Sequence, residues 1–530
     1  MKKWYTLLEV IEFPLKMLFI AIVVMGIGDM IINPNITVYT SIPSTEVQLV
    51  SQLVKFFGSF LMSCFPMFMI IKLLSKRYED SVPAYVGVVA YVLFNVITMF
   101  LGSTELPKYC YSAIMGLQID ASVTNISNIG IRFPLVTGLV SSIIIVVITR
   151  ICYGNSRKRF TYGILSFIDN DSWALFTTLI FTAVAAVLVT LGWPMFIGSL
   201  TTIFQYIVDD INNPLNMFLY GICERVLSLL NLQDLIHQPF WFGELGGRWV
   251  DSFGQPYLGD VGVWTALISQ GLETGGYGKF ITPYYVINLF AMPGMYLAFF
   301  ILHTDKMEKR RFALFFVVAT IISILFGTLL PVELLLLIMA PALYILHLIA
   351  MSSLYAIFTI LSVTIGYTFS GAIETAMPGN LVSLLPYIGR AEYGQALLFV
   401  LIVGAVFFVV YFAMTMLYYK VLSGDYFSVK SDAKKKDVFI TAVGGLSNIR
   451  AINSSLNKVV VRLYDSTQIE YELLKEMDVY KVSETRAGTV MEFGPASTTL
   501  RGGVLKELNK YLKEQKQKPT VVQKFEVEDS

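Results

Sequence analysis

Residues 396–417, ALLFVLIVGAVFFVVYFAMTML, contain no Asp, Glu, Lys, Arg or Pro. As a helix this run rises roughly 33 Å at about 1.5 Å per residue, enough to cross the ~30 Å apolar core of a bilayer. Similar runs recur at Phe13–Ile32, Leu53–Leu74, Val82–Leu101, Phe133–Ile151, Trp173–Phe196, Ile281–Leu302, Phe312–Leu330, Leu334–Ile349 and Leu354–Phe369. A backbone in lipid must satisfy its own hydrogen bonds, so spans this apolar are expected to be helices. The predicted fold is a polytopic α-helical membrane protein of about ten spans plus shorter hairpins. The first run is too long for a cleaved leader, and no small-residue cleavage site follows it.

Composition agrees. The 530 residues are 55% hydrophobic and 15% charged, with a mean hydropathy of +0.65, whereas soluble chains carry about 25% charged residues. A formal net charge of +1 gives no basic excess for nucleic acid. The charge is unevenly placed: residues 425–530 hold 32 of the 77 charged side chains. An apolar body over 1–424 is therefore followed by a basic linker at 425–436, a small α/β domain at 437–514 and a charged, disordered end at 515–530. The cysteines Cys64, Cys110, Cys152 and Cys223 have no metal-ligand spacing, and no cofactor motif is present. None lies in the last hundred residues.

Basic residues set the expected orientation. Lys2 and Lys3 precede the first run, Lys76 and Arg77 follow the second, and Arg150, Arg157, Lys158 and Arg159 follow the fourth. Lys306, Lys309, Arg310 and Arg311 follow the sixth, and Lys434, Lys435 and Lys436 follow the last. Both termini are expected on the cytoplasmic side of the membrane. Thr201–Leu232 mixes apolar residues with Asp209, Asp210, Glu224 and Arg225, and reads as a surface helix followed by a shorter, partly polar one. Glu333 is the sole Asp, Glu, Lys or Arg between Phe312 and Ile373. It follows Gly327 and Pro331, which mark a helix break. A lone carboxylate at such a break either lines a solute path or sits hydrated at an interface.

The order of these segments resembles the enzyme IIC permeases of the bacterial phosphotransferase system, glucose superfamily, α-glucoside/maltose-like branch. Phe13–Met30, Phe65–Lys76, Phe218–Leu230, Pro239–Trp241, Phe290–Leu297, Pro331–Pro341 with His347, and Leu384–Tyr418 correspond to successive family signatures, and Val438–Leu512 resembles the fused enzyme IIB domain. The resemblance implies a homodimeric, elevator-type carrier of one sugar or glycoside, moved into the cytoplasm and phosphorylated there. It also implies separate IIA and IIB phosphocarriers as partners wherever the chain's own domain does not serve.

Two sugar-site signatures are altered. The family's Glu-Arg-Leu-Leu stretch survives as Glu224–Arg225–Val226–Leu227, but its Gly-Leu-His-His becomes Asn231–Leu232–Gln233–Asp234. Arg225 is expected either to donate to sugar hydroxyls or to pair with Glu224 or Asp234. Gln233 and Asp234 can hydrogen-bond a polyol, and Asp234 is a candidate general base. His237, three residues on, is either a substrate ligand or a structural hydrogen-bonding residue. The family's Gly-Ile-Thr-Glu-Pro-Ile-Glu-Phe becomes Gly327–Leu334, with Leu330 at the first glutamate and Glu333 at the second. That exchange removes hydrogen bonding of roughly 1.5–3 kcal/mol unless Glu333, Glu374 or Asp234 compensates. The expected substrate-binding set is Arg225, Gln233, Asp234, His237 and Glu333, with Trp241, Phe242 and Tyr277 as candidate aromatic platforms.

The α/β domain departs further. Its relatives carry phosphate on the cysteine of Cys-Ala-Thr-Arg-Leu-Arg; the corresponding residues are Ser455–Leu456–Asn457–Lys458–Val459–Val460. A serine hydroxyl lacks the nucleophilicity of a thiolate, and Lys458 lacks the bidentate fork of arginine. Ser455 is expected to be inactive, so the sequence supports no catalytic residue. Three readings stay open: a permease served by another IIB protein, a ligand sensor without transport, and a conventional phosphotransferase using Ser455. No filter-like motif favours a channel.

Overall fold

The computed structural model describes residues 2–32, 44–78, 81–103, 105–114, 133–157, 169–302, 306–327, 329–368, 378–422, 429–454, 458–477, 479, 481–485, 488–492 and 497–517. The chain divides into two compact units, one comprising Val10–Tyr296 with Val318–Phe412, the other Met1–Glu9, Leu297–Val317 and Ala413–Ser530.

The major helices are α1 (Lys2–Ile32), α2 (Thr45–Ser63), α3 (Phe65–Tyr78), α4 (Val82–Leu101), α5 (Gly138–Ser156), α6 (Asn170–Asp209), α7 (Pro214–Leu229), α8 (Asp260–Ser269), α9 (Thr282–Leu302), α10 (Lys306–Phe326), α11 (Leu329–Met339), α12 (Pro341–Leu361) and α13 (Ala391–Lys420). Among the described residues seven helices are long and apolar enough to cross a membrane, or eight counting the bent α2–α3 pair as one span. The protein is thus a polytopic helical membrane protein.

Several boundaries differ from the sequence reading, for local reasons. Leu53–Leu74 bends by 48° after Ser63, where Pro66 lacks an amide hydrogen and crowds the preceding turn. Of the two helices expected in Thr201–Leu232, the shorter, partly polar one is present as α7, but the surface helix does not exist as a separate element. α6 runs unbroken for 40 residues through Pro194 to Asp209, its start capped by Asp169 Oδ1, which accepts from Ser172 N at 2.8 Å. Leu334–Ile349 and Leu354–Phe369 likewise do not form two spans. Pro341 opens α12 at its first turn, and the helix continues to Leu361, ending at Ser362 in the left-handed region (φ 52°). The break expected near Gly327 is present: α10 ends at Phe326, Gly327 has φ 70°, and α11 carries Pro331 in its first turn, where a missing amide hydrogen costs nothing.

Packing in the larger unit is organised by small residues and buried apolar faces. Ile70 and Leu74 of α3, Ala90, Tyr91 and Phe94 of α4, Ile145 and Val146 of α5 and Ala186 of α6 form one cluster. α1 and α2 approach through Gly28 and Gly58; a β-carbon on either would lie 2.6 Å from a backbone nitrogen of the other helix. That contact shelters an ion pair, Lys55 Nζ to Asp29 Oδ1 at 2.7 Å. Gly221 does the same between α7 and α12, since a β-carbon there would lie 2.8 Å from Ser352 Cα. Leu188, Leu191 and Met195 on α6 are exposed, as a lipid-facing surface requires.

In the smaller unit, α14 (Val429–Ala442), β3 (Ile449–Ser454), β4 (Lys458–Leu463), α15 (Tyr471–Glu476), β5 (Lys481–Thr485), β6 (Gly488–Glu492) and α16 (Ser497–Gln517) follow in order, β1 (Arg248–Val250) and β2 (Pro256–Leu258) being an earlier antiparallel ribbon. The sheet order is β3-β4-β6-β5, antiparallel throughout. On β4, Val459 and Val461 point inward while Arg462 stays exposed, the alternation of a half-buried strand. Leu500, Val504 and Leu508 recur at helical spacing on α16 and join Phe439, Ile452 and Met491 in the core. The β-branched run Lys458–Leu463 is readable as a strand from sequence, whereas β3 is not. β3 follows Gly444 and Gly445, both at positive φ.

Substituting Gly221→Val is expected to destabilise the detergent-purified protein by about 1–3 kcal/mol through overpacking. Gly192→Val, at a helix position where an added β-carbon would meet nothing within 4 Å, is expected to leave the thermal unfolding midpoint unchanged.

Candidate functional site

α7 starts at a built cap: Asn213 Oδ1 accepts from Leu215 N at 2.9 Å, and Pro214 occupies the first helical position. It ends at Leu229, after which Asn231 takes φ 57°. Asparagine tolerates the left-handed region better than most residues, which accounts for its replacing the family's glycine. The turn is clamped from α5, where Leu139 N donates to Leu230 O at 2.9 Å. Gly138 is required beside it, because a β-carbon there would lie 2.3 Å from Leu230 O. The chain then enters the one-turn helix Asp234–His237 and a wider turn over Gln238–Phe242.

α7 carries two adjacent charges into the interior. Glu224 and Arg225 are both essentially fully buried, as is Glu333 on α11. The Arg225 guanidinium donates through Nε and Nη2 to Glu224, through Nη1 to Glu333 at 3.2 Å, and through Nη2 to the Tyr284 hydroxyl at 2.6 Å. Glu224 also accepts from Tyr284 and from Ser228 Oγ at 3.0 Å. Its Oε1 lies 3.0 Å from His237 Nε2. Beyond Glu333 the chain of contacts continues to His347 Nε2 at 2.9 Å, whose Nδ1 is 2.8 Å from the Tyr411 hydroxyl. Five helices, α7, α9, α11, α12 and α13, thus meet at one ionic network. Pairing is obligatory, since an uncompensated charge in an apolar interior costs several kcal/mol.

A cavity of about 450 Å³ opens against this network, with Arg225, Gln233, Asp234, His237, Trp241 and Tyr284 in its wall. The His237 ring stacks on Trp241 with centroids 3.6 Å apart and planes 11° apart. Trp241 Nε1 donates to the Tyr220 hydroxyl at 3.1 Å, which fixes the platform. Leu330 also lines the cavity, so the leucine at the family's glutamate position presents methyl groups where an acceptor is expected.

Four of the five residues expected from sequence therefore share one cavity wall. Glu333 does not: it stands behind Arg225, so its influence on a ligand passes through the guanidinium. Of the two roles left open for Arg225, the pairing with Glu224 is present, and the residue also lines the cavity. His237 bonds Glu224 while facing the cavity. Phe242 lies on a neighbouring cavity, and Tyr277 packs at Gly247, its hydroxyl 3.4 Å from Arg248 O, away from the site. Glu374 and Ser455 lie outside the described residues. Lys458, close to Ser455 in sequence, pairs across strands with Glu492 at 3.6 Å. Tyr284 and Tyr411 are additions to the set read from sequence. Nothing distinguishes them locally among 29 tyrosines; only the fold brings them to the network. Among the described residues no group of His, Cys, Asp and Glu is arranged to hold a metal.

A multi-helix body with, among the described residues, seven helices able to cross a membrane, enclosing a polar cavity beside a buried ionic network, defines an integral membrane protein. Residues 13–352 match the family described as Phosphotransferase system, EIIC, and the chain belongs to that family. It is 25% identical over 468 residues to the PTS system glucoside-specific EIICBA component of Staphylococcus carnosus, covering 86% of this chain and 66% of the relative. It is 24% identical over 432 residues to the glucose-specific EIICBA component of the same organism, covering 80% and 60%. The chain thus spans less than two thirds of either relative's length. All five expected site residues fall inside the matched region.

Arg225→Met is expected to strip both carboxylates of their partner and to cost about 3–5 kcal/mol. Adding Glu333→Gln recovers part of that loss. A double-mutant cycle on the unfolding midpoint in detergent checks the coupling.

Proposed function

We propose that the chain is a sugar permease of the phosphotransferase type, which binds a sugar or glycoside in the cavity beside Arg225 and moves it into the cytoplasm. The observation that carries this reading is the convergence of Arg225, Gln233, Asp234 and His237 with the aromatic face of Trp241 on one cavity. Its volume of about 450 Å³ lies in the ~300–1,000 Å³ range of small-molecule sites. Polar groups set against an aromatic ring suit a polyol with one apolar face. The chemistry named for the two relatives, glucoside and glucose, points the same way.

Phosphorylation of the solute, in this reading, falls to another IIB protein, because Ser455 occupies the phosphocysteine position. The homodimer, the elevator motion and the cytoplasmic location of both termini belong to the same proposal. They are supported by the family resemblance and by the distribution of Lys and Arg. A second reading, a ligand sensor that does not transport, is favoured by one observation: Leu330 lines the cavity, lowering affinity for a typical glucoside.

Uptake of labelled glucose and methyl α-glucoside into proteoliposomes containing the full chain separates the two. Saturable uptake is expected, and binding without flux selects the sensor reading. Incubation with the general phosphocarriers is expected to leave Ser455 unphosphorylated by mass spectrometry. A stoichiometric phosphoserine there would restore the conventional phosphotransferase.

A further inference from the structure

The cavity's charges do not balance. Among the described residues that line it Arg225 is the sole Arg or Lys, and that cation is already shared between Glu224, Glu333 and Tyr284. Asp234 adds a third carboxylate to the same region. Its side chain receives no hydrogen bond from any described residue; His237, three residues on and itself bonded to Glu224, interacts with it through charge alone. Beside it, Gln233 Oε1 is buried and has no donor among the described residues. The wall therefore offers a ligand one charged acceptor, Asp234, and a cation whose donors are largely spent.

Asp234 also has a particular place. A second, more open cavity of about 650 Å³ shares Ser112, Asp234 and Gln238 with the first. Asp234 thus stands in the wall common to both cavities. In the outer cavity Lys108 and Glu244 are of opposite sign, so Asp234 decides the charge preference at the junction. A partly desolvated carboxylate is compensated better by a cationic donor than by a neutral hydroxyl, and an anion there meets uncompensated repulsion.

We propose that the cavity is selective for a sugar or glycoside bearing a free, protonated amino group, which Asp234 accepts at the junction of the two cavities. This deepens the sugar-site reading and rests on it. Arg225, Gln233 and Trp241 hold the neutral part of the ring, and sugar acids and sugar phosphates are excluded.

The test is equilibrium binding by calorimetry to the full chain in detergent at neutral pH. The probes are glucosamine, glucose, N-acetylglucosamine (the same skeleton with its charge removed) and glucuronate. Glucosamine is expected to bind about tenfold or more tighter than glucose and N-acetylglucosamine, the margin of one charge-assisted hydrogen bond, and glucuronate not to bind. Asp234→Asn is expected to collapse that ratio, and Asp234→Glu, which keeps the charge, to retain it. Equal affinity for glucosamine and glucose in the unaltered protein, or a preference that survives in Asp234→Asn, overturns the proposal. The unaltered protein decides the first point even if Asp234→Asn fails to fold. Absence of saturable binding by all four probes sinks the sugar-site reading itself.

Discussion

The buried salt bridge between Arg225 and its two carboxylates, Glu224 on the same helix and Glu333 on α11, constrains everything around it. In an apolar interior a guanidinium and two carboxylates can persist only if nearly every donor and acceptor is met. The fold meets them with residues distant in sequence: Tyr284 from α9, His347 from α12 and Tyr411 from α13. Gly221 permits the close packing of α7 on α12 that this requires. The cavity is a consequence. The network draws helix ends and a one-turn helix together on one side, and Asn231 turns Gln233 and Asp234 into the space left.

Arg225 enters the cavity wall with its guanidinium held by partners behind it. Glu333 bonds the guanidinium and His347 bonds Glu333, and neither is among the cavity's lining residues. The retention of Glu333 alongside loss of the family's first glutamate at Leu330 is then coherent. The residue that supports the arginine is kept, while the residue that would face the solute is changed.

Much of the fold is legible in the sequence because lipid leaves the backbone few options: long apolar runs become helices, and Gly327 with Pro331 breaks one where expected. Errors arise where local punctuation misleads. The run read as Trp173–Phe196 continues to Asp209, because apolar residues beyond Phe196 carry α6 on. The stretch between Ile349 and Leu354 lacks any breaker, and α12 continues. In the site, Arg225, Gln233, Asp234 and His237 are legible because they cluster in sequence, whereas Tyr284 and Tyr411 become significant only through tertiary packing. That Glu333 stands behind Arg225 is illegible for the same reason, since the sequence does not say which face of α11 meets α7. The tail's β4 is plain from Lys458–Leu463, but β3, with Arg450 and Asn453 among its residues, lacks a clear apolar alternation.

The central claim is that the solute occupies the cavity beside Arg225, and protection from chemical labelling tests it most directly. Ser228 lines that cavity, and Ser228→Cys places a thiol there with little change in volume. The native cysteines Cys64, Cys110 and Cys152 are buried and Cys223 is half-buried, which keeps the background low. The account predicts that saturating methyl α-glucoside or glucosamine slows reaction of the new thiol with a small methanethiosulfonate reagent. Labelling at an unchanged rate while either sugar is bound would contradict it.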